Sequence, residues 1–534
     1  MTGVSVTIQD VTIRNGRNTQ PYGAADFSFS GGGLDWCGGD GPDSFTLKNA
    51  VVSDNTTLYG YGGGLNIDSI TGYTGTVTMD NVTFHNNTTT GTVNQTHGGA
   101  ISIFGFRPTI IISNSTFTNN YVASSTSMGG AISSRLTYGG SLQIHNSIFS
   151  GNMTNGDGGG IAVSSANAGT TVTIDQNTSI VNNTAGRYGG GIYFGVKLAT
   201  NTTPYLVSGV TISGNTALGY PGGGLYIDGV NATVQYSRIV NNTASSGAGL
   251  YKTDSSEIVT AVKNWWGCST GPGAGPCDTA VGIAGTLTTN PWLRDQLTSA
   301  SGATLVTNQT STLSASFQTD SSGSDVSANL GRITSLPVTW NNSNSSTGSL
   351  SNQQTAIQTN GTATSTFTAS ATGLTTLYAQ VDNDNTSSGS SNVLELTVNK
   401  ANTTTAITSD LPNPSLEGQT VTMAFSVTGA FGNTPTAPTG YVTVSDGVNS
   451  CTATIAEGSC DLVLDTAGVG TFVATYAGDA NFNSSESAGV DHVVTTPPRV
   501  TNVSSTNADG SYRAGAVIPI TVTFNIPVKV TGSP

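Results

Sequence analysis

Residues 77–87 read VTMDNVTFHNN, and the phrase GGAI follows at 98–101. Val77, Met79, Val82 and Phe84 alternate with polar residues, which is typical of strands that bury one face and expose the other. Both phrases return along the first half of the chain. The last Asn of the first phrase falls at 55, 87, 120, 152, 183, 215 and 242, at successive spacings of 32, 33, 32, 31, 32 and 27 residues. Two signals with one period indicate a structural repeat.

Each period contains three short strands, separated by turns rich in Asn, Gly and Thr. One coil cannot bury its apolar side chains alone, whereas stacked coils bury a continuous core. The repeat therefore predicts a right-handed parallel β-helix of about eight coils over residues 1–295. The Asn column predicts one corner in the left-handed conformation and a ladder of amides along the axis. The Gly-Gly column predicts another tight corner.

The pairing of GGA(I/L) with F-x-x-N phrases, over roughly residues 1–260, resembles the polymorphic outer-membrane protein repeat of bacterial surface adhesins and autotransporter passengers. The resemblance implies a β-helix presented at a cell surface. Residues 262–280, VKNWWGCSTGPGAGPCDTA, look like the closing segment of such a helix, which we place at 262–292. We expect Trp265 and Trp266 to cover the open end of the core, and a disulfide between Cys268 and Cys277 to pin the loop.

The repeat columns end at Pro291-Trp292, and spaced alternating strands follow. This change predicts Ig-like β-sandwiches at 296–400 and 401–496 and the truncated start of a further Ig-like module at 497–534. Together with the β-helix, these modules make the predicted fold class all-β. The phrase GTFVATYAGDANFNSS at 470–485 resembles the bacterial Ig-like repeats of large surface proteins, which implies a spacer or stalk. We expect a second disulfide, between Cys451 and Cys460, across one hairpin. We interpret the chain as a piece of a longer protein.

The composition excludes some classes of partner. The 534 residues carry a formal net charge of −14, with 16 Lys and Arg against 30 Asp and Glu. This balance argues against nucleic acid, whose recognition requires clustered basic residues. No apolar run is long enough for a membrane span. Four of the five cysteines form two closely spaced pairs, which fits an oxidising exterior, so we predict a secreted or cell-surface protein without a cofactor.

Aligning the coils on their Asn residues gives two outward columns where a site could lie. The first column reads Gln9, Lys48, Asp80, Ser113, His145, Asp175, Ser208 and Gln235. Only His145 beside Asp175 suggests catalysis, and no third group joins them, so no catalytic residue is predicted. The second column ends in Tyr193, Tyr226 and Tyr251, for which we predict an exposed, stacked ladder. Such a ladder can dock sugar rings or simply stabilise neighbouring strands.

A short loop in the first predicted sandwich, VDNDNTSSG at 381–389, contains Asp382 and Asp384. Their carboxylates could serve Ca²⁺, but the loop lacks the Glu that completes a compact calcium loop. The sequence therefore predicts no metal site.

The leading functional hypothesis is a non-enzymatic secreted or cell-surface protein, an adhesin or structural filament component that presents a β-helix on an Ig-like stalk. Low charge, repetition and the lack of a carboxylate cluster favour it. The alternative is a carbohydrate-active β-helix enzyme, a polysaccharide lyase or glycosidase with accessory Ig-like modules. The partners to consider are glycans, other cells, or further copies of the chain joined end to end as fibres.

Overall fold

The computed structural model describes residues 3–532 except 20–30, 71, 92–96, 138, 167–168, 176, 196–202, 254–256, 274–275, 283–285 and 385–389. Within these residues there is no α-helix, and β-strands form the architecture apart from one 3-10 helix at Ser327–Arg332. A parallel β-solenoid comes first, followed by two mainly antiparallel β-sandwiches and a terminal β-hairpin. The predicted all-β fold class is confirmed.

The largest sheet of the solenoid takes two consecutive segments from each turn and runs around the corner between them. Its strands pair in parallel with the equivalent strands of the turns before and after. The 16 strands are Ser5–Gln9, Thr12–Arg14, Ser44–Ser53, Thr76–His85, Thr109–Ser113, Thr116–Thr118, Gly140–His145, Ile148–Ser150, Thr170–Asp175, Ser179–Val181, Tyr205–Ser208, Thr211–Ser213, Ala232–Gln235, Arg238–Val240, Val259–Thr260 and Leu287–Thr288.

Two further parallel sheets complete each turn. A narrow seven-stranded sheet consists of Arg17–Asn18, Thr56–Thr57, Thr88–Thr89, Tyr121–Val122, Met153–Thr154, Thr184–Ala185 and Thr216–Ala217. A nine-stranded sheet consists of Leu34–Gly38, Leu65–Ser69, Ile101–Phe106, Ile132–Thr137, Ile161–Ala166, Ile192–Phe194, Leu225–Ile227, Leu250–Lys252 and Ala280–Val281.

The number of turns differs slightly from the expected eight. Seven turns contribute a strand to every sheet, because the narrow sheet has seven strands, and incomplete turns follow at the C-terminal end. The narrow sheet itself was missed by the three-strand prediction. Its strands are two residues long, which is too short to show an alternation of apolar and polar side chains.

The core of the solenoid confirms the predicted alternation. Val77, Met79, Val82 and Phe84 are buried, and the intervening residues of the same strand are partly or fully exposed. Residues of one kind stack in columns: Phe117 lies 4.9 Å from the ring of Phe84 and 4.5 Å from that of Phe149. One apolar cluster continues through all the turns, as expected of stacked repeats.

Three residues of a typical turn have a left-handed backbone, one at each corner. In the third turn these are Asn81, Asn86 and Gly98, with φ of 54°, 54° and 71°. The predicted Gly corner is therefore present, and a Cβ on Gly98 would stand only 2.1 Å from the carbonyl oxygen of Ile101. The prediction for the Asn column needs correction, because the left-handed residue is Asn86, one position before Asn87. The side chain of Asn87 instead points inward.

The inward Asn residues form the predicted amide ladder. The Oδ1 of Asn152 accepts hydrogen bonds from the backbone N–H of Asn120, at 3.1 Å, and from its Nδ2, at 2.9 Å. The Nδ2 of Asn120 also donates to the carbonyl of Phe84 at 3.1 Å. The pattern repeats from Asn55 to Asn242 through fully or nearly fully buried side chains. The ladder therefore links successive turns inside the core.

The closing segment ends both the ladder and the core. Asp278 accepts the last ladder hydrogen bond, from Asn242 Nδ2 at 2.7 Å. Cys268 and Cys277 are joined by a disulfide, with their Cα atoms 5.4 Å apart. The two tryptophans face opposite ways: Trp266 joins the solenoid core, whereas Trp265 belongs to the core of the next domain. The expectation that both cover the solenoid is thus wrong for Trp265, because adjacent residues of an extended chain point to opposite sides.

The first sandwich packs two four-stranded sheets around Phe317, Trp340 and Phe367. One sheet has the order Gln296–Ser299, Thr310–Ser316, Thr362–Ala369 and Gly348–Ser351. The other has the order Thr304–Val306, Val393–Asn399, Gly373–Val381 and Val338–Asn342.

The second sandwich packs a three-stranded sheet against a six-stranded one. The smaller sheet contains Thr403–Leu411, Thr420–Gly429 and Ser459–Val463, and the larger contains Ser415–Leu416, Val490–Thr495, Gly468–Tyr476, Tyr441–Ser445, Ser450–Thr454 and Ser485–Glu486. The disulfide between Cys451 and Cys460 joins strands that pair with different neighbours, so it links the two sheets and does not cross a hairpin. A hairpin of Val500–Ser505 and Ile520–Phe524 follows.

Candidate functional site

The first outward column lies on the largest sheet, in the predicted register. Lys48 pairs with Asp80, Asp80 with Ser113, and His145 with Asp175. Asp80 accepts hydrogen bonds from Asn114 Nδ2 at 2.8 Å and Ser113 Oγ at 3.0 Å, and Lys48 Nζ lies 3.7 Å from it. These contacts, the Asn114 hydrogen bond first, lower the pKa of Asp80. The column is a hydrogen-bonded polar surface.

The pair formed by His145 and Asp175 is the strongest catalytic candidate of the sequence. Its Nδ1–Oδ1 distance is 2.5 Å, and each side chain is 21% exposed. The nearest acid along the column, Asp80, is three rungs from Asp175, or about 14 Å at the usual strand spacing. Glycosidase carboxyl pairs lie roughly 5–9.5 Å apart, so the two acids are too distant to act together. The column contributes one hydrogen-bonded His–Asp pair and no carboxyl dyad.

The second outward column ends in the three predicted tyrosines, which stack. The ring centroids of Tyr193 and Tyr226 are 5.5 Å apart, and those of Tyr226 and Tyr251 are 5.6 Å apart. Tyr193 is only 5% exposed, however, and Tyr226 only 8%. The expectation of an exposed ladder is wrong, because other side chains cover the ring faces. Burial raises the phenol pKa of both Tyr193 and Tyr226 above the usual range.

The covering side chains come from two loops, which precede two successive strands of the nine-stranded sheet. Tyr188 packs 4.5 Å from Tyr226 and meets Tyr220 edge to face at 5.1 Å, and Tyr220 stays 40% exposed. The alternation of inward and outward residues along strands could not predict the positions of Tyr188 and Tyr220, because both residues lie in turns. Four of these tyrosines, at 188, 193, 226 and 251, thus form a small apolar cluster with Ala162 and Met128 on the outside of the solenoid. Tyr220 borders this cluster through Tyr188, so only its edge is available to a ligand.

The junction between the solenoid and the first sandwich brings together residues that the sequence did not connect. Arg238 reaches both oxygens of Asp382, with Nε–Oδ2 at 3.0 Å and Nη2–Oδ1 at 2.5 Å. Trp265 Nε1 donates to the same Oδ2 at 2.7 Å. The side chain of Asp382 is 2% exposed. Asp382 is thus fully occupied by these donors, and the idea that it offers Ca²⁺ a loop ligand beside Asp384 is wrong.

The described residues contain no cluster of three or more His, Cys, Asp and Glu side chains that could hold a metal ion. Nor does the described part of the chain include a helix that is long and apolar enough to cross a membrane.

One family model matches part of the chain. Residues 407–495, most of the second sandwich, match the bacterial Ig-like domain (group 3). This match confirms that part of the predicted bacterial Ig-like character, while the resemblance of residues 1–260 to the polymorphic outer-membrane repeat stays a prediction. No curated protein matches the chain.

Several solved structures are remotely similar. The FdeC adhesin of Escherichia coli shares 14% identity over 39% of this chain and 67% of that one, with a TM-score of 0.19. The D0-D1 domain of intimin shares 16% sequence identity over 37% of this chain and 97% of that one, with a TM-score of 0.14. The surface-layer protein rSbsC(31-844) shares 15% over 45% and 38%, with a TM-score of 0.16. Similarity at this level carries no argument about function.

Proposed function

We propose that the protein is a non-enzymatic, extracellular surface protein, an adhesin or structural component in which Ig-like sandwiches hold a β-solenoid in a fixed orientation. The observation that carries the proposal is the solenoid–sandwich junction. Tyr236, Val240 and Trp265 of the last solenoid turns pack into the same apolar cluster as Phe317 of the first sandwich. The Trp265 and Phe317 rings meet edge to face at 4.9 Å. A shared core favours rigid presentation over a flexible tether.

The contacts between the two sandwiches support the same proposal. Asn308 Nδ2 lies 2.7 Å from the carbonyl oxygens of both Gly432 and Thr436, and the backbone N–H of Thr372 donates to Asn481 Oδ1 at 3.0 Å. These bonds restrain the second sandwich relative to the first. Stalks that display a binding surface gain from such restraint, because an oriented domain loses less entropy on binding.

The proposal is tested by separating binding from turnover. The purified full chain is applied to a glycan array and to cells, and is incubated with a panel of polysaccharides while reducing ends are measured. We expect binding to glycans or cells without release of reducing sugar. Electron microscopy at rising concentration reports on the structural role through filament formation.

Turnover that disappears in Asp175→Asn and persists in Asp54→Asn would overturn the proposal and establish the enzyme alternative. Asp54 is the control, because it is an acid at a corner of the solenoid, away from the strand that contains Asp175, and its φ of 57° is one that Asn also tolerates.

A further inference from the structure

A cleft at the solenoid–sandwich junction contains an aromatic ring held in one orientation. Trp292 lines this junction cleft of about 400 Å³, together with Arg294 and several serines. The indole Nε1 donates a hydrogen bond to the Ser269 carbonyl oxygen at 3.0 Å. The backbone N–H of Trp292 donates to Ser321 Oγ at 3.0 Å, and the backbone N–H of Ser321 donates to the Trp292 carbonyl oxygen at 2.8 Å. These three bonds fix the ring before any ligand binds.

The Trp292 ring is partly exposed, and the chain itself covers one of its faces. Gly271, whose φ is 85°, lies against the ring, and a Cβ there would stand 2.5 Å from Trp292 Cε2 and 2.6 Å from its Cδ2. Nearly equal distances to both atoms of the fused bond place Gly271 over one face of the indole. The exposed part of the ring lines the cleft. The cleft therefore offers an aromatic surface that a ligand with an apolar face can cover.

A guanidinium group lies beside this ring. Leu293, between Trp292 and Arg294, is buried in the core of the first sandwich. Because successive side chains of an extended segment point to opposite sides, Trp292 and Arg294 face the same way, into the cleft. Among the described residues, the Arg294 side chain has no hydrogen-bond or ion-pair partner. Its five N–H donors can therefore serve a ligand.

The rest of the lining is polar and carries both charges. Asp384 lines the cleft with Arg294, so one negative and one positive side chain face it. The Asp384 carboxylate is held in position by Ser269, through the backbone N–H at 2.9 Å and Oγ at 2.7 Å. Ser391 Oγ donates its proton to the Asp295 carbonyl oxygen at 2.5 Å, and its oxygen keeps acceptor capacity. Balanced charges of this kind suit a neutral ligand that both donates and accepts hydrogen bonds.

We propose that the junction cleft binds a neutral pyranose unit of a glycan. A pyranose has C–H groups on one face and hydroxyl groups around its rim. The C–H face matches the exposed side of the Trp292 ring, and the hydroxyls match the donors of Arg294 and the oxygen of Ser391. The volume of the cleft, about 400 Å³, is that of an ordinary small-molecule site. This inference rests on the proposed function, because it names the ligand class and the place where a surface protein of this kind would bind it.

The experiment uses the full chain and a panel of neutral and uronic-acid oligosaccharides. Saturation-transfer difference NMR identifies the saccharides that bind, and calorimetry then measures their affinity. We expect a neutral saccharide to bind at millimolar concentration or below. The strongest saturation transfer should fall on the C–H protons of one face of one sugar ring, because that face contacts the Trp292 indole.

Two variants test the two halves of the cleft. Arg294→Ala removes donors that have no partner among the described residues, so it should leave the melting temperature unchanged and weaken binding about tenfold or more. Trp292→Leu keeps an apolar side chain against the solenoid core and removes the ring, so binding should be lost. Arg513→Ala, at an exposed position of the terminal segment, is the control and should bind like the parent protein.

Equal affinity of the parent protein and Arg294→Ala would overturn this proposal, and so would a parent protein that binds acidic saccharides alone or none. The proposed function survives that result if binding to glycans or cells persists in Arg294→Ala, since the binding surface then lies elsewhere. Turnover that disappears in Asp175→Asn would instead overturn the proposed function and leave the cleft as a binding site.

Discussion

The inward Asn side chains illustrate how single residues stabilise a solenoid. The Oδ1 of each amide accepts hydrogen bonds from the Asn of the preceding turn. Its Nδ2 donates to a backbone carbonyl oxygen and to the Oδ1 of the Asn in the next turn. All of these groups are buried, so each one left without a partner costs about 1–3 kcal/mol. The same ladder explains why this Asn recurs at nearly constant spacing.

Asn152→Ala should therefore lower the free energy of unfolding by about 3 kcal/mol, because it strands the donors of Asn120 and the carbonyl of Phe117. Urea unfolding followed by circular dichroism measures the change. Ser150→Ala, two residues earlier on the outward face, is the control and should cost less than about 0.5 kcal/mol. Similar losses in both variants would contradict the structural role of the ladder.

Asp382 joins the first sandwich to the solenoid through hydrogen bonds from Arg238 and Trp265. Asp382→Ala leaves the Arg238 guanidinium and the Trp265 indole N–H without their partner in a largely buried site. Removing one partner of a buried ion pair typically costs about 3–5 kcal/mol. We expect the free energy of unfolding to fall by that amount, as measured by urea unfolding monitored by tryptophan fluorescence. Asp461 is an exposed acid of the second sandwich, so Asp461→Ala should change the free energy of unfolding little. An equal loss in both variants would contradict the role of Asp382 at the junction.

At the scale of elements, the closing segment makes the end of the solenoid sensitive to pH. Burial raises the pKa of Asp278 to about 6, against opposing hydrogen bonds from Asn242. The unfolded chain loses this proton near its usual pKa of 3.8, whereas the folded chain keeps it up to about pH 6. Asp278 therefore stabilises the fold fully below pH 3.8, and this contribution is lost as the pH rises to 6.

Asp278→Asn removes that titration. The free energy of unfolding of the variant, measured relative to the parent protein, should increase by about 3 kcal/mol between pH 3.5 and pH 7. Urea unfolding at half-unit pH intervals, monitored by tryptophan fluorescence, measures the difference. A difference that does not depend on pH would contradict the raised pKa.

The tyrosine column is a packing element of the solenoid surface. Tyr226 contacts Tyr188, Tyr193 and Tyr251 at centroid distances of 4.5–5.6 Å. Tyr226→Ala should therefore cost about 3 kcal/mol in urea unfolding, since it leaves a cavity among these rings. Tyr220→Ala, at the exposed edge, should cost less than about 1 kcal/mol. The reverse order would restore the interpretation of Tyr226 as an exposed ligand platform.

At the scale of the whole molecule, the solenoid and the first sandwich share one core. A fragment of residues 1–295 would expose Trp265, Tyr236 and Val240, which the sandwich covers in the full chain. We expect this fragment to melt several degrees below a fragment of residues 1–400, because a single buried large side chain contributes about 1.5–3 kcal/mol. Thermal unfolding by circular dichroism compares the two. Equal melting temperatures would show that the solenoid is stable without its neighbour.

The sequence by itself determined the repeat, the register and the inward and outward columns. Stacking buries the same positions of every turn, so one period read from the chain fixes neighbours such as Asp80 and Ser113. The alternation of apolar and polar residues also predicted the two sandwiches, because each of their strands buries one face and exposes the other.

Tertiary structure alone decided which outward residues stay exposed and which distant residues meet. Tyr188 covers Tyr226 through the path of a turn, and Asp382 meets Arg238 across 144 positions of the chain. Neither contact follows a period or a local pattern of the sequence, because the first depends on the path of a turn and the second on how the last solenoid turns pack against the first sandwich. The repeating hydrogen bonds of the solenoid can therefore be predicted from the sequence, whereas the contacts that join it to the first sandwich arise only from the folded arrangement.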